Sequence, residues 1–558
     1  MNIRIISDFN AETLAHYLNN STGMSTLTAE CAPFGQVSRQ LLALTQVPKD
    51  SVNNPGVVVL WTRPQGIITA FNEALNYARP TRDDVLKQVI QFAETIRQAK
   101  QPTSAVFIPA WTFPPHYRGY GLLNMQTGIG LRNLLHEMNL TLSRELASQK
   151  DIFLLDAERW VASQGDNAYD PRLWYMGKIP FSSGVFKTAA DEIKAGLESL
   201  DGKTRKLIIL DLDNTLWGGV VGDAGWNTLR LGGHDPIGEA YADFQSALKA
   251  LTNQGVLLGI VSKNTEQIAL EAFEKHPEMV LQLTDFAGWR INWNDKASEV
   301  ANLVMELNLG LDAAVFIDDN PMERARVAES LPEVLVPEWP KDPLLYRQAL
   351  EKLACFDKTS INPEDTKRTA MYAAERERKR ARIEFLSLEQ WLNTLAIEVQ
   401  AEPVNHASFA RMVQLFNKTN QMNLSTRRLT ESELQDWLTD PNHCMWTFRV
   451  TDKFGDSGLT GIGSLFFEDN KAHIIDFILS CRVMGRDIEE AMLHVLTQHA
   501  ADKGAKIVEA VYLKTAKNKP CLEFWQESEF NCKKNQTFEW HLGNAYPLPR
   551  HIKLKWDS

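Results

Sequence analysis

The sequence predicts an α/β protein of several domains, two parallel-sheet units followed by an α+β module, and three observations lead to that reading. The chain has 558 residues, enough for three or four domains at roughly 150 residues each. Up to about residue 340, short uninterrupted apolar runs alternate with helix-length amphipathic stretches, the rhythm of parallel strands joined by crossover helices. Beyond about 396 the rhythm gives way to a mixture of strands and two helices.

In chain order, IRII (3–6), VVVLW (57–61), AVFIPAW (105–111) and IFLLD (152–156) read as strands, with helices over 82–100 and 131–148. A second series begins at Lys206. LIILDLD (207–213), VLLGIVS (256–262) and AAVFIDD (313–319) are buried strands that each end on polar residues, where open α/β sheets gather their ligands. Between the first two, Ile237, Ala240, Tyr241, Phe244, Ala247, Leu248 and Leu251 fall at helical spacing and Gly255 supplies a stop. Residues 341–395, with ERERKRARIEF at 375–385, read as a charged helical connector. The last part, 396–558, carries strands MWTFRV, AHIIDFILS and KIVEAVYL and helices over 405–417 and 488–503. The expected domains are therefore 1–200, 201–340 and 396–558, joined by the connector.

Composition narrows the function. With 59 basic and 70 acidic residues the net charge is -11, which argues against a nucleic-acid or anionic-membrane partner. Six scattered cysteines form no metal-ligand spacing or disulfide framework. No apolar run approaches the roughly 18 residues needed to span a bilayer, and a cytoplasmic location is expected.

The strongest chemical signal is DLDNTLW at 211–217. Two aspartates spaced i, i+2 after a buried strand allow Asp211 to attack phosphorus while Asp213 serves as general acid and base on the bridging oxygen. A carboxylate nucleophile approaching anionic phosphate also needs positive charge. Ser262 can bond a phosphate oxygen and Lys296 can pair with its charge. Asp318 and Asp319, with Asp211 and Asp213, make a hard oxygen-lined site for Mg²⁺. Thr215, Lys263 and Asn264 complete the candidate substrate-binding set. These elements in this order resemble the haloacid dehalogenase (HAD) superfamily, and the short spacings around Ser262 imply a core without a large cap, open to a macromolecule or a neighbouring domain.

A closer resemblance follows from LDLDNTLWGGVVGDAG (210–225), VSKN (261–264), HPEMVLQLTDFA (276–287), NWNDKA (292–297) and FIDDNPMERARV (316–327). Together they are similar to the FkbH-like branch of the HAD superfamily, type IIIC. NKTNQMNLSTRRLTESEL (417–434), DKFGDSGLTGIG (452–463), LSCRVMGRDIE (479–489) and KTAKNKP (514–520) resemble the acetyltransferase-like (GNAT-like) module that these proteins carry. The resemblance implies transfer of a glyceryl unit from an acyl phosphate such as 1,3-bisphosphoglycerate to the phosphopantetheine thiol of an acyl carrier protein, in secondary-metabolite or surface-glycan biosynthesis.

It also implies roles for residues of the last domain. Arg482, Gly485 and Arg486 occupy a GNAT-type loop expected to hold the pyrophosphate of coenzyme A at a helix N-terminus, although Asp487 places a negative charge at its end. Cys481, beside two arginines, is the candidate acyl-accepting thiol. Lys418, Asn420, Gln421, Asn423, Arg427 and Arg428 form a polar set suited to a glyceryl phosphate. The first 200 residues resemble an SGNH-hydrolase-like (flavodoxin-like α/β) domain, but Ser7-Asp8-Phe9-Asn10 puts phenylalanine where the nucleophile belongs and 170–178 holds no histidine, so a docking or architectural role is expected. Two other readings stand beside the main one: an Mg²⁺-dependent HAD phosphatase fused to a coenzyme A-dependent N- or O-acyltransferase, and a noncatalytic scaffold.

Overall fold

The computed structural model describes the chain except residues 21–26, 47–54, 101–104, 234, 360–367, 384, 386, 406–407, 516, 534–535 and 557–558. It divides into two compact units, Met1–Thr204 with Lys352–Ser360, and Arg205–Glu351 with Ile361–Ser558.

The first unit is a five-stranded parallel sheet of order β2-β1-β3-β4-β5, built from β1 (Asn2–Ser7), β2 (Thr28–Cys31), β3 (Val57–Trp61), β4 (Ala105–Pro109) and β5 (Ile152–Leu155). Helices Arg82–Lys100 and Leu131–Leu146 bury their apolar stripes on one face, and Glu12–Asn19 and Ser183–Leu200 on the other. All five residues of β3 are buried, which is why it reads as a continuous apolar run. The edge strand β2, TAEC, has no such run, and sequence pattern alone misses it.

The second unit begins with a four-stranded parallel sheet of order β8-β7-β6-β9: β6 (Leu207–Leu210), β7 (Leu257–Ser262), β8 (Phe286–Ile291) and β9 (Ala314–Ile317). Helices α1 (Pro236–Asn253), α2 (Lys296–Glu306) and α3 (Pro321–Ser330) connect or flank the strands. A Cβ on Gly259 or Gly288 would lie 2.8 or 3.0 Å from a Leu303 methyl, so the missing side chains let α2 press close against β7 and β8.

Residues 341–395 are shared out. Tyr346 packs on Tyr241, Phe244 and Trp339, whereas Lys352–Ser360 belongs to the first unit. Helix α4 (Arg368–Ile383) follows, and the next helix, Leu388–Thr394, buries Trp391 and Leu392 in the last core.

That core underlies a largely antiparallel sheet of order β16-β17-β15-β14-β13-β12-β10-β18, with the short β11 joined to β14. Its strands are β10 (Ile397–Pro403), β11 (Met422–Asn423), β12 (His443–Asp452), β13 (Gly455–Glu468), β14 (Lys471–Leu479), β15 (Ile507–Val511), β16 (Asn531–Cys532), β17 (Thr537–His541) and β18 (Ile552–Trp556). Helix α5 (Ile488–Asp502) makes the crossover between the parallel strands β14 and β15. The helix expected over 405–417 spans Phe409–Lys418, and residues 406–407 lie outside the described residues. The α/β multidomain class expected from the sequence is the one observed. Among the described residues no helix is long and apolar enough to cross a membrane.

Candidate active site

Leu210 of β6 pairs with Ile260 of β7 and Ile317 of β9, so Asp211 and Asp318 leave adjacent strands side by side. The N–H of Asp211 donates to the Ile317 carbonyl (3.0 Å), extending the ladder by one residue. Carboxylate oxygens of Asp211, Asp318 and Asp319 lie within 4.8 Å of one another. Lys296 opens α2, capped by the Asp295 carboxylate, and the close seat of that helix brings its ammonium 2.8 Å from Asp211 Oδ2 and 2.6 Å from Asp318 Oδ2. Around them, Thr215 Oγ1 accepts from the Asp319 N–H (3.1 Å). The Asn320 N–H donates to Asp318 Oδ1 (2.8 Å), and Arg324 donates to the carbonyls of Asp318 and Asp319.

Burial sets the electrostatics. Desolvation first, then the Asp211 charge, pushes Asp318 up to about 6 and raises Asp319 for the same reasons. Burial pulls Lys296 down, but the Asp211 and Asp318 charges outweigh it and the ammonium is held above its ordinary value. Three carboxylates against one ammonium leave negative charge uncompensated, and Asp211 Oδ1 is buried with no hydrogen-bond partner. An orphaned carboxylate oxygen is costly unless something binds it. The hard-oxygen set of Asp211, Asp318 and Asp319 fits Mg²⁺.

Asp213 belongs to the site differently from expectation. Its carboxylate accepts from Trp217 Nε1 (2.9 Å), the Val221 N–H (3.0 Å) and Asn264 Nδ2 (2.8 Å), and it is not among the carboxylates gathered within 4.8 Å of one another. Burial, with the Asp211 charge adding, raises its pKa against these hydrogen bonds. Asn264 is thus a partner of Asp213, and Lys263 pairs with Glu323 (2.7 Å). Ser262 is buried at the end of β7. Trp217 and Arg324 hold the site from inside the quoted motifs, where residue type alone carried no sign of it.

The candidate residues of the last domain lie elsewhere. Cys481 is exposed at the end of β14 and lines a cleft of about 170 Å³ with Tyr372, Arg376 and Arg482, closed on the other side by Leu307 and Asn308. Those two residues follow the C-terminal end of α2, whose first residue is Lys296, so the helix length of about 16 Å separates the thiol's cleft from Asp211. Asn423 is fully buried, donating to the Thr419 carbonyl and accepting from the Thr426 N–H. Arg427 pairs with the buried Asp476, which also takes the hydroxyls of Ser425 and Ser464. Asn420 accepts from Arg428, Gln421 is exposed, and the side chain of Lys418 lies outside the described residues. Much of this polar set is therefore spent on its own loop. Arg486 is buried and bonded to Glu375 and Asp452, so it does not face an incoming phosphate. Gly485 takes the left-handed conformation (φ 72°), and Arg482 contacts the Met371 sulfur.

In the first unit, Phe9 is buried among Trp61, Phe181 and Phe186. The Ser7 hydroxyl donates to the Phe9 carbonyl and Asp8 pairs with Arg63 (2.9 Å). The ends of β3 and β4 open on a cavity of about 240 Å³ walled by Trp174 and Tyr169.

No family model and no curated protein matches the chain. Among solved structures, it is similar to the N-terminal part of a Bacteroides fragilis protein containing a phosphatase domain complexed with Mg, at 28% identity and a TM-score of 0.58 over 65% of this chain and 95% of that one. The GNAT domain of an S. lividans protein covers 25% of this chain and 89% of its own at 12% identity and a TM-score of 0.21. The Escherichia coli ribosomal-protein-S18-alanine N-acetyltransferase covers 26% and 96% at 8% and 0.20. The sheet order, with aspartates at the ends of β6 and β9 and Lys296 at the start of α2, gives the middle domain a HAD-like fold.

Proposed function

We propose that this chain is an Mg²⁺-dependent phosphoryl-transfer enzyme that strips phosphate from a phosphorylated glyceryl or related hydroxyacyl unit and delivers the acyl group to the thiol of an acyl carrier protein. The observation that carries the reading is the buried, unpartnered oxygen of Asp211 amid Asp318, Asp319 and Lys296. The Mg-bound phosphatase domain of the Bacteroides fragilis neighbour supports it. The acyl part rests on the resemblance to FkbH-like proteins.

An Asp211 oxygen attacks phosphorus, forming an aspartyl phosphate, and the bond to the glyceryl oxygen breaks. Asp213, its pKa raised by burial, gives its proton to that oxygen and then takes one from the water that hydrolyses the phosphoenzyme. Lys296 holds Asp211 in position and offsets charge on the phosphate. Asp211, Asp318 and Asp319 would hold Mg²⁺, which when bound would supply positive charge to offset that of the phosphate. For the acyl step, the carbonyl carbon of an acyl phosphate bonds to a thiolate sulfur and inorganic phosphate leaves. Because the Cys481 cleft and Asp211 sit at opposite ends of α2, a carrier's flexible arm brings the phosphorylated acyl group to Asp211.

Intact-mass analysis of a carrier protein after incubation with enzyme, Mg²⁺ and 1,3-bisphosphoglycerate tests this. A glyceryl adduct is expected, and in Asp211→Asn a phosphoglyceryl adduct. Phosphate release without any adduct would leave a phosphatase and overturn the acyl-transfer reading.

A further inference from the structure

We infer that the C-terminal module does not bind coenzyme A, and that its diphosphate-type loop serves instead as a clasp that fastens helix α4 to the sheet. Two geometric observations carry this independently of the phosphoryl chemistry.

The first is a wedge already filled. The parallel strands β14 and β15 pair only from Lys471 with Ile507 to Ile474 with Ala510, and beyond that point β14 runs on to Leu479 beside β13 but without β15. Diverging strands leave backbone donors and acceptors that an extended, amide-bearing arm such as pantetheine satisfies as an added strand. Here β11 pairs with Ile478 and Leu479. The Leu424 N–H donates to the Phe477 carbonyl (3.1 Å), and the Leu513 N–H donates to the Leu424 carbonyl (3.0 Å), so one segment is stitched to both walls. Asn518 Nδ2 bonds the Asn423 carbonyl (3.1 Å). Met422, Asn423 and Leu424 are 2%, 0% and 0% exposed, which marks an integral strand and leaves no slot for an arm.

The second is a ring of charge that closes on itself. Arg378 grips Asp452 through two bonds of 2.7 and 2.8 Å. Arg486 reaches Asp452 at 3.3 Å and Glu375 at 2.5 Å, while Arg378 reaches Glu375 at 3.3 Å. Two guanidinium groups thus balance two carboxylates, with Arg378, Arg486 and Asp452 nearly inaccessible. A diphosphate could recruit Arg486 only by taking its guanidinium out of the ring and leaving Asp452 and Glu375 to Arg378 alone. The buried Glu489 side chain sits at the same turn, against the backbone of Gly485. Helix α4, held by this ring and by the Arg482 contact to Met371, carries Arg376, which donates to the Phe286 carbonyl of β8 (3.2 Å) and lies 4.2 Å from the Trp289 ring centre. The loop therefore links the sheet of the last domain to the HAD-type sheet through α4.

Two measurements on the full chain test the inference. Calorimetric titration with coenzyme A should give no saturable signal up to about 1 mM, and hydrogen exchange of peptides at 482–489 should be unchanged by it. In Arg486→Lys, which keeps the charge but not the paired geometry, amides of α4 should exchange about tenfold faster than in the parent. Saturable coenzyme A binding by the parent with protection at Gly485 would overturn the first half. Exchange in α4 equal to the parent's, in a variant whose other peptides show native protection, would overturn the second. If Arg486→Lys does not fold, Arg482→Ala takes its place with the same criterion, because it frees the Met371 contact alone.

Discussion

The carboxylates after β6 and β9 and the arginines after β14 occupy comparable places, the turn by which a buried strand leaves its sheet. Both clusters bury opposite charges within ion-pair distance. In the HAD-type domain the balance is left open, with three carboxylates facing one ammonium and an Asp211 oxygen without a partner. Around the loop after β14, Arg486 of that loop and Arg378 of α4 meet Asp452 and Glu375, and the ring is closed. Buried charge with an unmet valence is held for a ligand, whereas buried charge that satisfies itself fixes architecture.

The largest effect that sharpens this contrast is at Asp211. Asp211→Asn should lower phosphate release by about 10³-fold or more with the fold intact by circular dichroism, and a parental rate would break the comparison. Lys296→Met removes the one cation from the open cluster. It should cost about 3–5 kcal/mol in urea unfolding without metal, with part of the loss recovered on adding Mg²⁺, and an unchanged midpoint would show that the carboxylates need no counter-charge.

A smaller effect belongs to the closed region. Burial pushes Glu489 up to about 7 from an ordinary 4.5, so the folded chain holds a proton that the unfolded chain releases. This group's contribution to stability therefore declines as pH rises from about 4.5 to about 7 and stays low above that. Glu489→Gln should be more stable than the parent by about 3 kcal/mol at pH 8 and the advantage should vanish near pH 4.5, as read by thermal unfolding across pH. An advantage independent of pH would exclude this cause.

The smallest concerns the metal. With Asp318 at about 6, protons compete with the cation below that value, and Mg²⁺ affinity measured by calorimetry should fall about tenfold per pH unit there. Constant affinity between pH 7 and 5 would mean that Asp318 is not a ligand.

The sequence by itself determined the sheet-forming segments and most of the HAD-type site. Buried strands such as 57–61 and 207–210 are contiguous apolar runs, and Asp211, Ser262, Lys296, Asp318 and Asp319 stand at their ends or at a helix start, positions that local pattern marks. Only the tertiary structure decided the rest. The edge strands β2 and β8 carry polar or half-exposed residues, so no apolar run announces them. Asp213 stands outside the gathered carboxylates, its oxygens taken by Trp217, Val221 and Asn264, a choice that the DxD spacing does not encode. Cys481 and Arg486 carry a motif in sequence, but the thiol opens at the far end of α2 and the arginine meets a glutamate 111 residues away. Periodicity records which face of an element is buried. It holds no record of which distant charge will lie opposite, since that follows from how the elements pack.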